Sequence, residues 1–238
     1  MKKAIVAVAT ASLVMGYTAV SFGASDVQGV ISNKANVNKS ANVAIGEDSK
    51  ARMGTVAVKG SSVKGVVSNK ANVNKSANVA IGKGSTANMG SVSMNRSRVQ
   101  GVVSNQANVN KSANVSIGGG TANMGSVDMK GSNVKGVVSN RANVNKSANV
   151  AIGEGATSNM GAVTMDRARV QGVVSNKANV NKSANVAIGK GATANMGSVT
   201  IKNANVKGVI ANQANVNKSA NVAIGQGSEA SMGSVTVE

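Results

Sequence analysis

The chain has no cysteine, histidine, proline or tryptophan, and only one tyrosine and one phenylalanine among 238 residues. Without cysteine or histidine there is no thiolate nucleophile, no imidazole base, and no zinc or haem site of the usual kind. Acidic residues are scarce as well: eight, against 26 lysines and arginines. They are scattered from Asp26 to Glu238, which leaves little room for a catalytic carboxylate pair or a calcium cage. A non-enzymatic protein without metal or cofactor is therefore expected. The lack of cysteine also excludes disulfides, so cohesion has to come from backbone pairing and packing.

Lys2 and Lys3 precede an apolar run from Ala4 to Met15 that is too short to span a bilayer, followed by small residues at Ser21, Gly23, Ala24 and Ser25. This pattern predicts a secretory signal peptide over 1–24, cut near residues 23 to 25, and a single repeat domain over 25–238. Both aromatics, Tyr17 and Phe22, leave with the leader, and loss of Lys2 and Lys3 lowers the formal charge from +18 to +16. The expected location is secreted, extracellular or at the cell surface.

What the sequence does have is a repeat. Val27, Val63, Val99, Val134, Val170 and Val206 open six copies of one unit, spaced by 36 residues except for one interval of 35. The short interval belongs to Gly118-Gly119-Gly120-Thr121, where neighbouring copies carry one more loop residue. Within a copy, triplets such as Ala214-Asn215-Val216 set a small and a larger apolar residue two apart with a polar residue between, which is strand alternation. Turn formers separate them: Ser68-Asn69-Lys70, Asn74-Lys75-Ser76, Gly82-Lys83-Gly84 and Gly90-Ser91. Asn, Gly, Ser and Val are poor helix formers, which disfavours a helical repeat. The fold expected is an all-β solenoid of six tandem repeats, with two coils or one folded layer per copy. Stacking would bring identical residues into register, giving asparagine amide ladders and apolar columns. Val73, Val79, Ile81, Met89 and Val92, with Asn72 and Asn78, are the expected assembly core of the second copy. The methionines Met53, Met89, Met124, Met160, Met196 and Met232 read as core filler rather than metal ligands, and the glycines after each Val-Ala-Ile or Val-Ser-Ile as corners with positive φ.

Two sets of cations also fall into columns. Lys39, Lys75, Lys111, Lys146, Lys182 and Lys218 occupy the Asn-Lys-Ser corner and are expected to form an exposed basic column. With two coils per copy, these ammonium groups would lie ~9.6 Å apart and repel by only ~0.4 kcal/mol in water. Arg96, Arg98, Arg167 and Arg169 instead recur in alternate copies, so the charge pattern repeats every two copies. Such basicity suits polyanions, either extracellular DNA or anionic polysaccharide. Without aromatic stacking platforms, nucleic-acid binding would be sequence-independent and salt-sensitive. Keeping a β-rich chain soluble is the plainer role for the same lysines.

The run Ala184-Asn185-Val186-Ala187-Ile188-Gly189-Lys190-Gly191 through Asn195-Met196-Gly197-Ser198-Val199 resembles the repeats of the Fap functional amyloids. Curlin subunits share the general plan. The Val-Ala-Ile-Gly core is similar to the coil motif of trimeric autotransporter adhesin heads. The Fap and curlin resemblance implies a secreted fibre subunit whose β layers polymerise by stacking; the adhesin resemblance implies a surface β-roll. The copies start beside the expected cleavage point and end in mid-pattern at Ser234-Val235-Thr236-Val237-Glu238, which predicts two uncapped edges and head-to-tail growth into a homopolymer. Extracellular fibres of a bacterial biofilm matrix or surface coat are the expected function, with a cell-surface adhesin binding polyanions through a basic solenoid face as the alternative.

Overall fold

The computed structural model describes residues 9–14, 19–23, 26–233 and 235–237. The expected leader lies partly outside these residues. Its described parts, Ala9–Val14 and Ala19–Gly23, run parallel to Asp26–Asn38 and Thr55–Lys59 at the start of the stack. Among the described residues every regular element is a strand, and no helix is long and apolar enough to cross a membrane.

Each copy forms one coil with up to four faces. In the second coil the faces are Ser62–Asn74, Ala77–Gly82, Thr86–Met89 and Val92–Asn95. Each face pairs in parallel with its equivalent in the next coil, residue for residue: Val63 with Val99, Val79 with Val115, Met89 with Met124. Offsets of one full copy in every sheet decide for one coil per copy over two. The shorter third copy keeps this register because its loop at Gly119–Thr121 absorbs the deletion, with φ of +82° at Gly120 and +75° at Thr121.

The long first face departs from the expectation of a turn at Ser68-Asn69-Lys70. Those residues lie inside a thirteen-residue strand. Val63, Val67, Asn69, Ala71 and Val73 are buried in it, with polar or half-exposed residues between, so a period of two runs uninterrupted through the supposed corner. The other turn assignments hold, and the chain reverses at Lys75-Ser76, Lys83-Gly84 and Gly90-Ser91.

Three side-chain layers fill the coils. Valines of the first half of the long face pack against the fourth face, as Val63 and Val67 do with Val92 and Met94. The second half meets the methionine column, with Ala71 and Val73 beside Met89. Between the second and third faces the apolar interior is alanine, Ala44, Ala51, Ala80 and Ala87 at one end and Ala151, Ala187 and Ala194 further along, with Ser116 in the same column and the buried Asn78 and Asn114 beside it. A coil on its own would leave both rims of each layer wet, so stability resides in the stack.

Candidate functional site: the coil-to-coil interface

Three asparagine columns run through the buried interior, all handing hydrogen bonds in one direction. In the first, the amide nitrogens of Asn33, Asn69, Asn105, Asn140 and Asn176 each donate to the side-chain oxygen of the next coil's asparagine at 2.9 Å. In the second, Asn78 donates to Asn114 at 2.8 Å and Asn114 to Asn149 at 2.8 Å. The third links Asn88, Asn123, Asn159 and Asn195 over 2.6–2.9 Å. Amide protons left over go to backbone carbonyls, Asn78 to Ala51 at 3.2 Å and Asn140 to Gly161 at 3.2 Å. An interior amide with both roles filled stabilises the register, because a slip of one residue would strand every donor and acceptor in the column.

The first ladder begins on an orphan. Asn33 is fully buried, yet its Oδ1 has no hydrogen-bond partner among the described residues. Each later oxygen in this column receives an amide from the coil before it. The register partner of Asn33 on that side is Ala11, a residue without an amide. A buried acceptor left unpaired costs about 1–3 kcal/mol.

The expected core residues divide between inside and outside. Val73, Met89, Val92 and Asn78 are fully buried. Val79 and Ile81 face outward, half-exposed and exposed, and Asn72 is exposed as well. The second face therefore has the opposite sidedness to the one alternation suggested: Asn78 and Ala80 point in. Alanine methyls and asparagine amides fill the inner side between the second and third faces, and valine and isoleucine take the outer side. Their columns leave an apolar strip outside, with Ile45 77 % and Ile224 55 % exposed at its ends. Asn72 still ladders, but on the surface and in the reverse sense, donating to Asn36 at 3.2 Å.

The six lysines Lys39, Lys75, Lys111, Lys146, Lys182 and Lys218 are all exposed, at left-handed corners with φ of +49° to +51°. Adjacent coils set their backbones ~4.8 Å apart, half the spacing expected from two coils per copy. At that separation two ammonium groups would repel by ~0.9 kcal/mol in water, which flexible side chains relieve by splaying. The neighbouring serines brace the corner: Ser76 Oγ donates to Asn74 O at 2.9 Å, and Ser112 Oγ accepts from the Ser76 N–H at 3.2 Å.

One acid departs from its column on the fourth face. Ser93, Asp128 and Thr164 align across successive coils. Thr164 and Thr200 accept amide hydrogen bonds from Asn159 and Asn195 at 3.2 Å. Burial pushes the Asp128 carboxyl up to about 6, with Asp166 adding to the rise and Lys130 opposing it. A folded-state pKa above the unfolded value means that protonation favours the fold. Stability is thus fully present below about pH 4 and falls as pH rises through about 6. Asp128→Thr restores a hydroxyl to the column, and we expect it to stabilise the protein by about 1–3 kcal/mol at pH 8 and much less at pH 4. Urea unfolding at the two pH values measures the difference; an equal change at both would refute the assignment.

Among the described residues no three Asp, Glu, His or Cys side chains come together as a metal site. No protein-family profile matches the chain, and neither curated proteins nor solved structures show a significant match.

Proposed function

We propose that this protein is a secreted, non-enzymatic subunit that stacks head to tail into extracellular fibres, as biofilm matrix or surface coat. The observation that carries the reading is the pairing of each coil with a near copy of itself, residue for residue at a fixed offset, which makes the coil-to-coil interface self-complementary. The sixth coil presents that same surface on its far side, where the valine corresponding to the half-buried Val66 and Val102, Val209, is 59 % exposed. Laying a second molecule's first coil on it would let Asn212 donate to Asn33 as Asn176 donates to Asn212. A contact of this kind does not close on itself, so it propagates. Its repeat style, similar to that of the Fap subunits, is in keeping with such a role.

The glycine columns supply a test that separates stacking from folding. A Cβ at Gly65 would lie 2.0 Å from the Gly29 carbonyl oxygen, and one at Gly82 1.5 Å from that of Gly46. The same atom at Gly29 or Gly46 meets nothing within 4 Å. In a fibre, those two positions would face the carbonyls of Gly208 and Gly225 in the preceding molecule. Gly29→Ala with Gly46→Ala in the leader-free chain should therefore fold, with some local backbone strain, but not elongate. Electron microscopy and light scattering of wild type and variant decide the matter. Fibres of the variant equal to wild type would refute end-to-end stacking, as would a wild type that stays monomeric at high concentration.

A further inference from the structure

One corner of the solenoid, where the fourth face turns into the long face, carries a feature that fibre growth does not use. Its column reads Gly60, Arg96, Gly131, Arg167, Asn203, all at left-handed φ between +48° and +63°. Glycine and asparagine are the residues that tolerate this conformation, and arginine is not. Two coils thus place arginine where glycine would be locally better. Two positions further on, Arg98 and Arg169 occupy the same coils, and all four guanidinium side chains belong to exposed residues.

Between the arginine-bearing coils lies an open trench. A cavity of about 310 Å³ is lined by Arg96, Lys130, Gly131 and Arg167, and cavities of about 300 and 380 Å³ continue it on either side past Arg98 and Arg169. The floor is glycine: a Cβ on Gly131 would touch the Arg96 side chain at 3.6 Å. The one ion pair formed by these arginines among the described residues is Arg167 with Asp166 at 3.4 Å, in the open. Arg96, Arg98 and Arg169 have no carboxylate within pairing distance there. The trench is a row of planar donor forks, with the Asp26 carboxylate past Arg98 and the Asn133 amide among the acceptors that line it.

The geometry points to a binding site for an acidic polysaccharide, and we propose that the arginine pairs clamp its carboxylates. A guanidinium matches a carboxylate with two parallel hydrogen bonds. The pairs recur every second coil, ~9.6 Å apart. That is a stride of the order of two sugar rings, as in a chain with one carboxylate per disaccharide. Duplex DNA fits less well, because its phosphates follow one another every ~3.4 Å along each strand. Single strands would lack any aromatic platform. The inference is independent of fibre formation, since the trench lies along the side of one molecule.

The test is titration of end-labelled hyaluronate, which carries a carboxylate on every second sugar, with the full chain at low salt, read by fluorescence anisotropy. Arg96→Gly with Arg167→Gly takes the residue already present at Gly60 and Gly131, so the fold is retained. A second pair, Arg98→Asn with Arg169→Asn, matches Asn133 and Asn205. A control with the same charge change, Lys111→Gly with Lys182→Gly, alters the lysine corner instead. Each arginine pair is expected to weaken binding about tenfold or more, and the control less than about threefold. Equal weakening by all three pairs would overturn the proposal. So would random-sequence duplex DNA binding as tightly as hyaluronate, or hyaluronate failing to bind.

Discussion

Gly101→Val is expected to be the most damaging single substitution on the long face, at about 4 kcal/mol or more. Two effects combine. At φ of +137° the backbone lies where side chains are rarely accommodated, which costs roughly 1–3 kcal/mol by itself. In addition, even a bare Cβ would stand 1.9 Å from the Gly65 carbonyl oxygen, deep inside contact distance. Relief requires the second and third coils to separate, and that breaks a parallel pairing of thirteen residues together with the ladder bond between Asn69 and Asn105. Gly131→Ala is the matched control. It also has positive φ, +57°, but its Cβ would meet nothing closer than 3.6 Å, so only the local strain of about 1 kcal/mol remains. Urea unfolding of both variants tests the account, and similar losses would show that backbone strain rather than the missing space dominates.

Asn140→Leu is the second large effect, expected to destabilise by about 3–6 kcal/mol although leucine is of similar size and far more apolar. Asn140 stands in mid-ladder. Its loss strands the Asn105 amide that donates to it at 2.9 Å and the Asn176 oxygen that accepts from it at 2.9 Å. The carbonyl of Gly161, bonded at 3.2 Å, loses its partner as well. Each buried group left unpaired costs about 1–3 kcal/mol, which outweighs the gain from burying leucine atoms. On the surface ladder the same change should matter little: Asn108→Leu breaks bonds of 3.2 and 3.3 Å whose groups water can satisfy, for less than about 1 kcal/mol. Chemical denaturation of the pair gives the comparison directly, and equal losses would mean that the buried amides contribute no more than the exposed ones.

Sequence reasoning succeeded where register alone was at stake and failed where sidedness was. The 36-residue spacing of Val27, Val63 and Val99 was legible because near-identical copies have one arrangement that pairs every residue with its twin. The exposed lysine corners were legible from Asn-Lys-Ser, a turn sequence with a long charged side chain. Asn69 was misplaced in a turn because its neighbours Ser68 and Lys70 are turn formers, although the alternation through Val67, Ala71 and Val73 already assigned it to the inside. For Ala77-Asn78-Val79-Ala80-Ile81 no local signal could have served. The triplet Ala-Asn-Val occurs with valine inward at Val73 and with valine outward at Val79.

What the sequence determined by itself is the stack: a repeat this faithful, made of strand and turn residues and free of proline, can satisfy its backbone only by laying each copy on the last. The tertiary structure alone decided which side of each strand faces in, how many coils a copy makes, and that alternate arginines flank a glycine-floored trench. The physical reason is that pairing depends on residue identity along one strand direction, which a sequence records, whereas sidedness depends on the gap to the opposite face. That gap is lined by side chains from a different strand across a turn, and here Ala80 meets Ala87 inside while Asn78 turns inward and Ile81 out.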